Sequence, residues 1–168
     1  SWRDSLEQAI ALAPTHLSLY ELTIEPGTPY FQQQAHGLLE LPDEEALTEM
    51  DQLTATLCRK AGLIQYEISN YARPGFECRH NINYWRNGPY LALGAGAVAC
   101  VDGCRRRSTS DPLRYCELVE SGQPVIIDEE QLELETSLRE TVVMGLRMVD
   151  GVSREDLRKR YGWDVRAV

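Results

Sequence analysis

Seven consecutive residues, Arg79-His80-Asn81-Ile82-Asn83-Tyr84-Trp85, bring together an imidazole, two amides and two aromatic rings with polar tips. His80 is the only side chain among them able to ligate a metal or to change charge near neutral pH. Tyr84 and Trp85 supply flat apolar area ending in a hydrogen-bonding group, which suits a wall against a planar ligand. The same residues also suit a surface loop whose amides cap backbone groups while its rings anchor to a core. Residue type alone leaves both readings open.

Three other groupings bear on chemistry. Cys100-Val-Asp-Gly-Cys104 has the first spacing of a Cys-x3-Cys-x2-Cys iron-sulfur loop, but Arg107 stands where the third cysteine would fall. Two cysteines flanking a turn at Asp102-Gly103 face each other without any metal, and small buried cysteines are ordinary core residues. Gly94-Ala95-Gly96-Ala97 lets backbone approach a ligand, or a packed helix, where a Cβ would clash. Glu25 and Glu67 fall near strand ends, from which two carboxylates can reach one pocket, although glutamate is most often a surface residue. The sequence holds no Ser-His-Asp pattern, phosphate-binding loop or His-x3-His pair.

A chain of 168 residues can bury a sizeable core as one domain, or as a domain plus a small partner. Its net charge of -9 repels nucleic acid and anionic lipid at long range, so nucleic acid is not an expected partner. Arg105-Arg106-Arg107 is the nearest approach to a basic patch, and it reads equally as a solvated turn flank. The longest apolar run, Tyr90 to Val101, is broken by Gly94 and Gly96 and is too short to span a bilayer. Ser1-Trp2-Arg3-Asp4 lacks the basic-then-apolar order of a signal peptide, and five cysteines, an odd number, fit a reducing compartment. The expected location is cytoplasmic.

The elements that must position these residues follow from periodicity. Trp2, Leu6, Ala9, Ile10 and Ala13 have helical spacing, and Pro14 stops the helix. Alternation from His16 to Ile24 predicts a half-buried strand, ended by Glu25-Pro26-Gly27-Thr28-Pro29. Asp43 caps a helix whose apolar face is Ala46, Leu47, Met50, Leu53, Leu57 and Ala61, with Gly62 as its stop. Leu63 to Ser69 reads as the next strand, so residues 16–69 have the order of a strand-helix-strand unit in a parallel sheet. Functional loops of such a sheet leave the carboxyl ends of its strands. The loops after Ile24 and Ser69 are therefore expected on one rim, with the His80 segment following the second.

Farther along, a glycine-punctuated strand is expected from Leu91 to Val101, turning at Asp102-Gly103 into Cys104 to Ser108. Asp111-Pro112 opens a helix to about Ser121, and a long helix is expected from Asp128 to about Arg147. Ser153 with Asp156 resembles a capping box for a short basic helix to Tyr161. The last two helices, joined near Asp150-Gly151, suggest a small helical or winged-helix-like appendage.

Four segments in order carry a resemblance: His16-Leu-Ser-Leu-Tyr-Glu-Leu-Thr-Ile-Glu-Pro-Gly-Thr-Pro29, Tyr66-Glu-Ile-Ser-Asn-Tyr-Ala-Arg-Pro-Gly75, His80-Asn-Ile-Asn-Tyr-Trp85 and Tyr90-Leu-Ala-Leu-Gly-Ala-Gly-Ala97. Together they resemble the HemW-like heme chaperones, radical-SAM proteins related to the HemN-type oxygen-independent coproporphyrinogen III oxidases. The His-Asn-x-x-Tyr-Trp motif marks HemW-like proteins off from the true dehydrogenases. The resemblance implies an α/β fold in which residues 1–110 form the second half of a radical-SAM partial (β/α)6, TIM-like barrel. Residues 111–168 would then form a truncated HemN-like C-terminal domain, helical or winged-helix-like.

The same resemblance implies heme binding by His80, Asn81, Tyr84 and Trp85, with His80 as axial ligand of the heme iron by ordinary imidazole chemistry. It implies an S-adenosylmethionine side at Val98 and Thr23, with Gly94 and Gly96 near it, and no catalytic residue in this chain. The family's 4Fe-4S cysteine loop and Gly-Gly-x-Thr-Pro motif do not occur in the sequence. S-adenosylmethionine and the cluster are therefore expected only in a full-length protein, and this chain alone is expected to be inactive in radical chemistry. The implied partner is a hemoprotein that accepts heme, membrane-associated acceptors included, and an unpaired sheet edge invites a second copy of the chain.

Two rival functions follow from other features. One is oxidative decarboxylation of coproporphyrinogen III, against which His80-Asn81 followed by Tyr84-Trp85 counts. The other is a winged-helix nucleic-acid module over residues 128–168, suggested by Arg154, Arg158, Lys159 and Arg160 and opposed by the overall acidity.

Overall fold

The computed structural model describes residues 1–162, a mixed α/β chain that falls into two compact units, Ser1–Glu77 and Cys78–Val168. Positions 163–168 of the expected appendage lie outside the described residues. Among the described residues no helix is long and apolar enough to cross a membrane.

In the first unit, helix α1 (Trp2–Ala11) starts where Ser1 and Asp4 cap each other's backbone. It is pinned to helix α3 (Glu44–Lys60) by the Trp2 indole, which donates to Thr54 Oγ1 at 2.9 Å. Asp43 caps α3 by accepting from the Ala46 N–H, and Gly62 follows it with φ of 76°, a conformation that favours glycine. Leu6, Cys58, Leu63 and Tyr71 form the sealed core, with Ile10, Leu17, Leu19, Leu57 and Ala61 against it. Between lies α2 (Pro29–Ala35), a helix that periodicity does not announce and that begins at the end of the expected Glu25-to-Pro29 loop. Thr28 accepts from the Phe31 N–H and Pro29 sits in the first turn, so the Thr-Pro pair marks a helix start.

The sheet of this unit departs from expectation. Strands β1 (His16–Ser18), β2 (Ile64–Glu67) and β3 (Asn70–Ala72) lie in the order β1-β3-β2, and β3 is antiparallel to both neighbours. β1 and β2 thus run in the same direction but are separated by β3, where a parallel pair was expected. The cause is local: Ile68 and Ser69 turn the chain straight back on itself, so β3 occupies the place beside β1. Because β3 is short, β1 has little to pair with beyond the bond from the Leu19 N–H to the Ser69 carbonyl, and the strand expected to reach Ile24 ends at Ser18. The chain leaves β3 beside the start of β1, where the Arg73 N–H donates to the Thr15 carbonyl at 2.9 Å. The chain therefore leaves this sheet at the end opposite the one predicted.

The second unit holds α4 (Arg79–Trp85) and an antiparallel meander of β4 (Val98–Val101), β5 (Cys104–Ser108) and β6 (Ile126–Gln131). Helices α5 (Pro112–Glu120), α6 (Leu134–Gly145) and α7 (Arg154–Tyr161) complete it. The turn at Asp102-Gly103, the Asp111 cap of α5 and the Ser153 cap of α7 stand where the sequence places them. The strand expected over Leu91 to Val101 is shorter, because Gly94 and Gly96 take φ of 112° and 71° and leave only an isolated bridge from Tyr90 to Cys100 ahead of β4.

The helix expected from Asp128 is likewise β6 at its start, with α6 beginning at Leu134. Asp128, Glu129 and Glu130 lie opposite Arg107, Arg106 and Arg105 in the ladder, and each pair is joined by an ion pair of 2.5, 2.7 and 3.0 Å. Cross-strand charge matching and the β-branched pair Ile126-Ile127 outweigh the helical preference of an acidic run.

Candidate functional site

The segment from Arg79 to Trp85 is a two-turn helix, and that geometry sorts its side chains. At about 100° per residue, His80 and Tyr84 share one face, while Trp85 lies about 140° around from His80. The two rings of the first face touch edge to face, with centroids 4.6 Å apart and planes at 90°. His80 is exposed, and among the described residues neither of its ring nitrogens enters a hydrogen bond. Tyr84 in turn meets Tyr90, again at 4.6 Å, so three rings form a row. Tyr90 is held by the sheet through its bridge to Cys100, and burial pushes its hydroxyl pKa up, with Arg105 nearby opposing.

Trp85 faces α6 instead. The Arg147 guanidinium lies 4.7 Å from its ring centroid, and its indole N–H, though buried, has no acceptor among the described residues. Gly145 lies alongside, where a Cβ would meet the Trp85 carbonyl oxygen at an ordinary 3.8 Å but would stand only 2.7 Å from Val152 Cγ2. Asn81 is half-buried. Asn83 has a bracing role: its amide donates to the Pro89 carbonyl at 2.9 Å, and a Cβ on Gly88 would strike its Oδ1 at 2.2 Å.

The carboxyl end of α4 is clamped by residues that sequence reasoning assigned to other tasks or passed over. Arg160 donates to the carbonyls of Arg86 and Asn87 at 3.0 and 2.6 Å, a cation where a helix end presents unpaired carbonyls. Asn87 donates to Thr141 Oγ1 at 3.0 Å, and Thr141 shares a 2.6 Å bond with the Tyr161 hydroxyl. One strand of signal was available, since basic residues cluster in α7. Nothing in the sequence tells that one of them reaches back more than seventy positions.

The residues expected on the S-adenosylmethionine side divide between the two units. Thr23 is exposed in the first unit, in the irregular stretch after β1, while Val98 opens β4 in the second. The Gly94 N–H donates to the Tyr115 hydroxyl at 3.2 Å and its carbonyl accepts from Ser108 at 2.5 Å. The Gly96 N–H donates to the Thr109 carbonyl at 2.7 Å. Both amides are thus committed, one to a side chain of α5 and one to the backbone just after β5.

Of the remaining groupings, Cys100 and Cys104 flank the hairpin turn with Val101 paired to Cys104, and burial raises the Cys104 thiol pKa. Among the described residues no group of three or more His, Cys, Asp or Glu side chains is placed to hold a metal ion. The shared pocket of Glu25 and Glu67 does not form: Glu25 is exposed, whereas Glu67 is fully buried in the β2–β3 hairpin. Its carboxylate accepts from the Ser69 N–H and the Asn70 amide, while Asn70 Oδ1 has no partner among the described residues. Arg105 to Arg107 face carboxylates rather than a phosphate backbone, Arg105 also binding Glu140 at 2.7 Å.

A single exposed imidazole with uncommitted nitrogens and a ring beside it fits one axial ligand to a porphyrin iron, which needs no further protein donor on that side.

Comparison with known proteins agrees on one kind of relative. No protein-family model matches the chain. The heme chaperone HemW of Bacillus subtilis is 35% identical over 159 residues, 94% of this chain and 42% of that protein. The heme chaperone HemW of Escherichia coli is 46% identical over 107 residues, 62% of this chain and 27% of that protein. The chain thus spans about two-fifths or less of the length of these curated relatives. In structure it is similar to Escherichia coli coproporphyrinogen III oxidase (HemN), a radical SAM enzyme, with a TM-score of 0.73 over 97% of this chain and 40% of that one, at 15% identity. At that identity the likeness speaks for the fold.

Proposed function

We propose that this chain, HemW-like in sequence over 94% of its length, binds heme on the exposed face of α4 through His80 and passes it to an acceptor hemoprotein. The observation that carries the reading is the free imidazole of His80 braced by Tyr84 on a helix clamped at its far end. Heme, when bound, supplies an open iron coordination site. The chain's residues do the rest: His80 Nε2 or Nδ1 donates its lone pair, Tyr84 covers one flank of the imidazole, and Asn81 stands one position along the helix. Trp85, stacked against the Arg147 guanidinium, helps to hold α4 in place and would pack near the porphyrin. One neutral ligand on an exposed surface holds iron less firmly than an enclosed two-ligand pocket, which suits a carrier that must release its cargo.

In this reading, residues 1–110 correspond to the later part of a radical-SAM barrel and 111–168 to the start of a HemN-like C-terminal domain. Thr23, Val98, Gly94 and Gly96 would approach S-adenosylmethionine only in a longer protein that also supplies the 4Fe-4S cluster. A cytoplasmic setting goes with it, as does self-pairing through the free sheet edge. Coproporphyrinogen oxidation is less favoured, because the sequence relatives are named as chaperones while the HemN likeness is one of fold. A nucleic-acid role is weakened by Arg160, spent on α4 carbonyls, and by Lys159, paired with Glu155 at 2.6 Å.

The test loads the chain with hemin and mixes it with an apo-hemoprotein at rising concentration. Direct transfer predicts a rate that climbs with acceptor concentration. A rate that stays constant at the spontaneous dissociation rate of heme would sink the carrier reading.

A further inference from the structure

Tyr90 lies outside the His80-to-Trp85 motif, yet it ends the row of rings that begins at His80. The three rings stand on supports of unequal firmness. His80 and Tyr84 project from a seven-residue helix. Tyr90 exchanges both backbone hydrogen bonds with Cys100, at 2.8 and 2.9 Å, and is thereby fixed to the sheet just ahead of β4. β4 is itself paired to β5 along its whole length. An exposed histidine turns readily about its last torsion, and nothing restrains His80 by hydrogen bonding among the described residues. What restrains it is the perpendicular contact with Tyr84, and what restrains Tyr84 is Tyr90.

We propose that Tyr90 is a positioning residue for the heme site, holding the plane of the His80 imidazole in one orientation through Tyr84. The inference rests on the reading that His80 ligates the iron. Orientation matters to a ligand because a preset ring has less freedom to lose on binding. It matters to the spectrum because the plane of an axial imidazole sets the asymmetry of the field at ferric iron. The contact that transmits the effect is between ring faces and edges, so the aromatic ring is required and its hydroxyl is not.

The experiment titrates hemin into the full 168-residue chain and its variants, following the Soret band and the electron paramagnetic resonance of the ferric complex. Tyr90→Phe is expected to match the parent in affinity and spectrum. Tyr90→Ala is expected to bind roughly 2–10-fold more weakly, with a broadened spread of g values as the imidazole samples several planes. Circular dichroism checks that each variant is folded, and Tyr90→Leu, which keeps apolar bulk without a ring, decides the matter if the alanine variant is not. A leucine or alanine variant with parental affinity and g values would overturn the positioning role. So would a phenylalanine variant as impaired as the alanine one, since the hydroxyl would then be the active part. Failure of the underlying reading shows separately: His80→Ala would retain the parental spectrum.

Discussion

Single positions carry tight steric and electrostatic demands in both units. Gly145 is the clearest, because a Cβ there would stand 2.7 Å from Val152 Cγ2, closer than carbon atoms pack. Gly145→Ala should destabilise the second unit by about 1–3 kcal/mol, the usual range for overpacking, as read from urea denaturation. Adding Val152→Ala should recover part of that loss, and a double variant no better than the single would show that the clash is not the cause. Tyr71 makes a demand of another kind, since its burial pushes the hydroxyl up to about 12 from an ordinary 10. A phenol pKa raised in the folded state means stability that is whole below about pH 10 and is lost as pH rises toward 12. Tyr71→Phe should remove that alkaline dependence, which a difference titration at the phenolate absorption band would record.

At the scale of elements, the β5–β6 ladder sets three arginines against three carboxylates. The Arg106 guanidinium, by hydrogen bond first and by charge second, holds the Glu129 carboxyl below its ordinary value of 4.5. A lowered carboxyl pKa gives stability that is present above about 4.5 and lost as pH falls through the folded value, so this ladder should loosen only in acid. Glu129→Gln should flatten the acid limb of a pH-dependent circular-dichroism profile, and added salt should mimic it in part because the pair is exposed. Helices with strong local signals were legible in the sequence: α1 by its apolar spacing and Pro14, α3 by cap, apolar face and Gly62, and α5 and α7 by their caps. β6 was not, because its acidic run looks helical until its arginine partners are known to lie opposite. The parallel sheet was misjudged for a related reason: periodicity finds strands but is silent on a two-residue reversal that inserts β3 between two others. The ring row was not legible, since the His80 segment reads as a loop and only the turns of α4 set His80 and Tyr84 on one face. Tyr90 needed the sheet to bring it back.

The whole molecule leaves much apolar surface in water for its size. Leu12, Leu91 and Leu93 are each more than four-fifths exposed, and Ile64 and Ile68, on and just beyond the edge strand β2, are about half exposed. A free edge with apolar residues is a pairing surface. Ile64→Lys should lower the weight-average mass seen by sedimentation at high concentration, whereas an unchanged mass would move the association surface elsewhere. The relatives are more than twice as long as this chain. The proposed heme contacts do not call on that surface, because His80, Tyr84 and Tyr90 all lie within the second unit. The most direct measurement is therefore the ferric heme spectrum of the chain and of His80→Ala at equal heme loading. Histidine ligation predicts that the variant loses the parental Soret position and at least tenfold in affinity, an order of magnitude worth about 1.4 kcal/mol. A variant with the parental Soret band and affinity would contradict it.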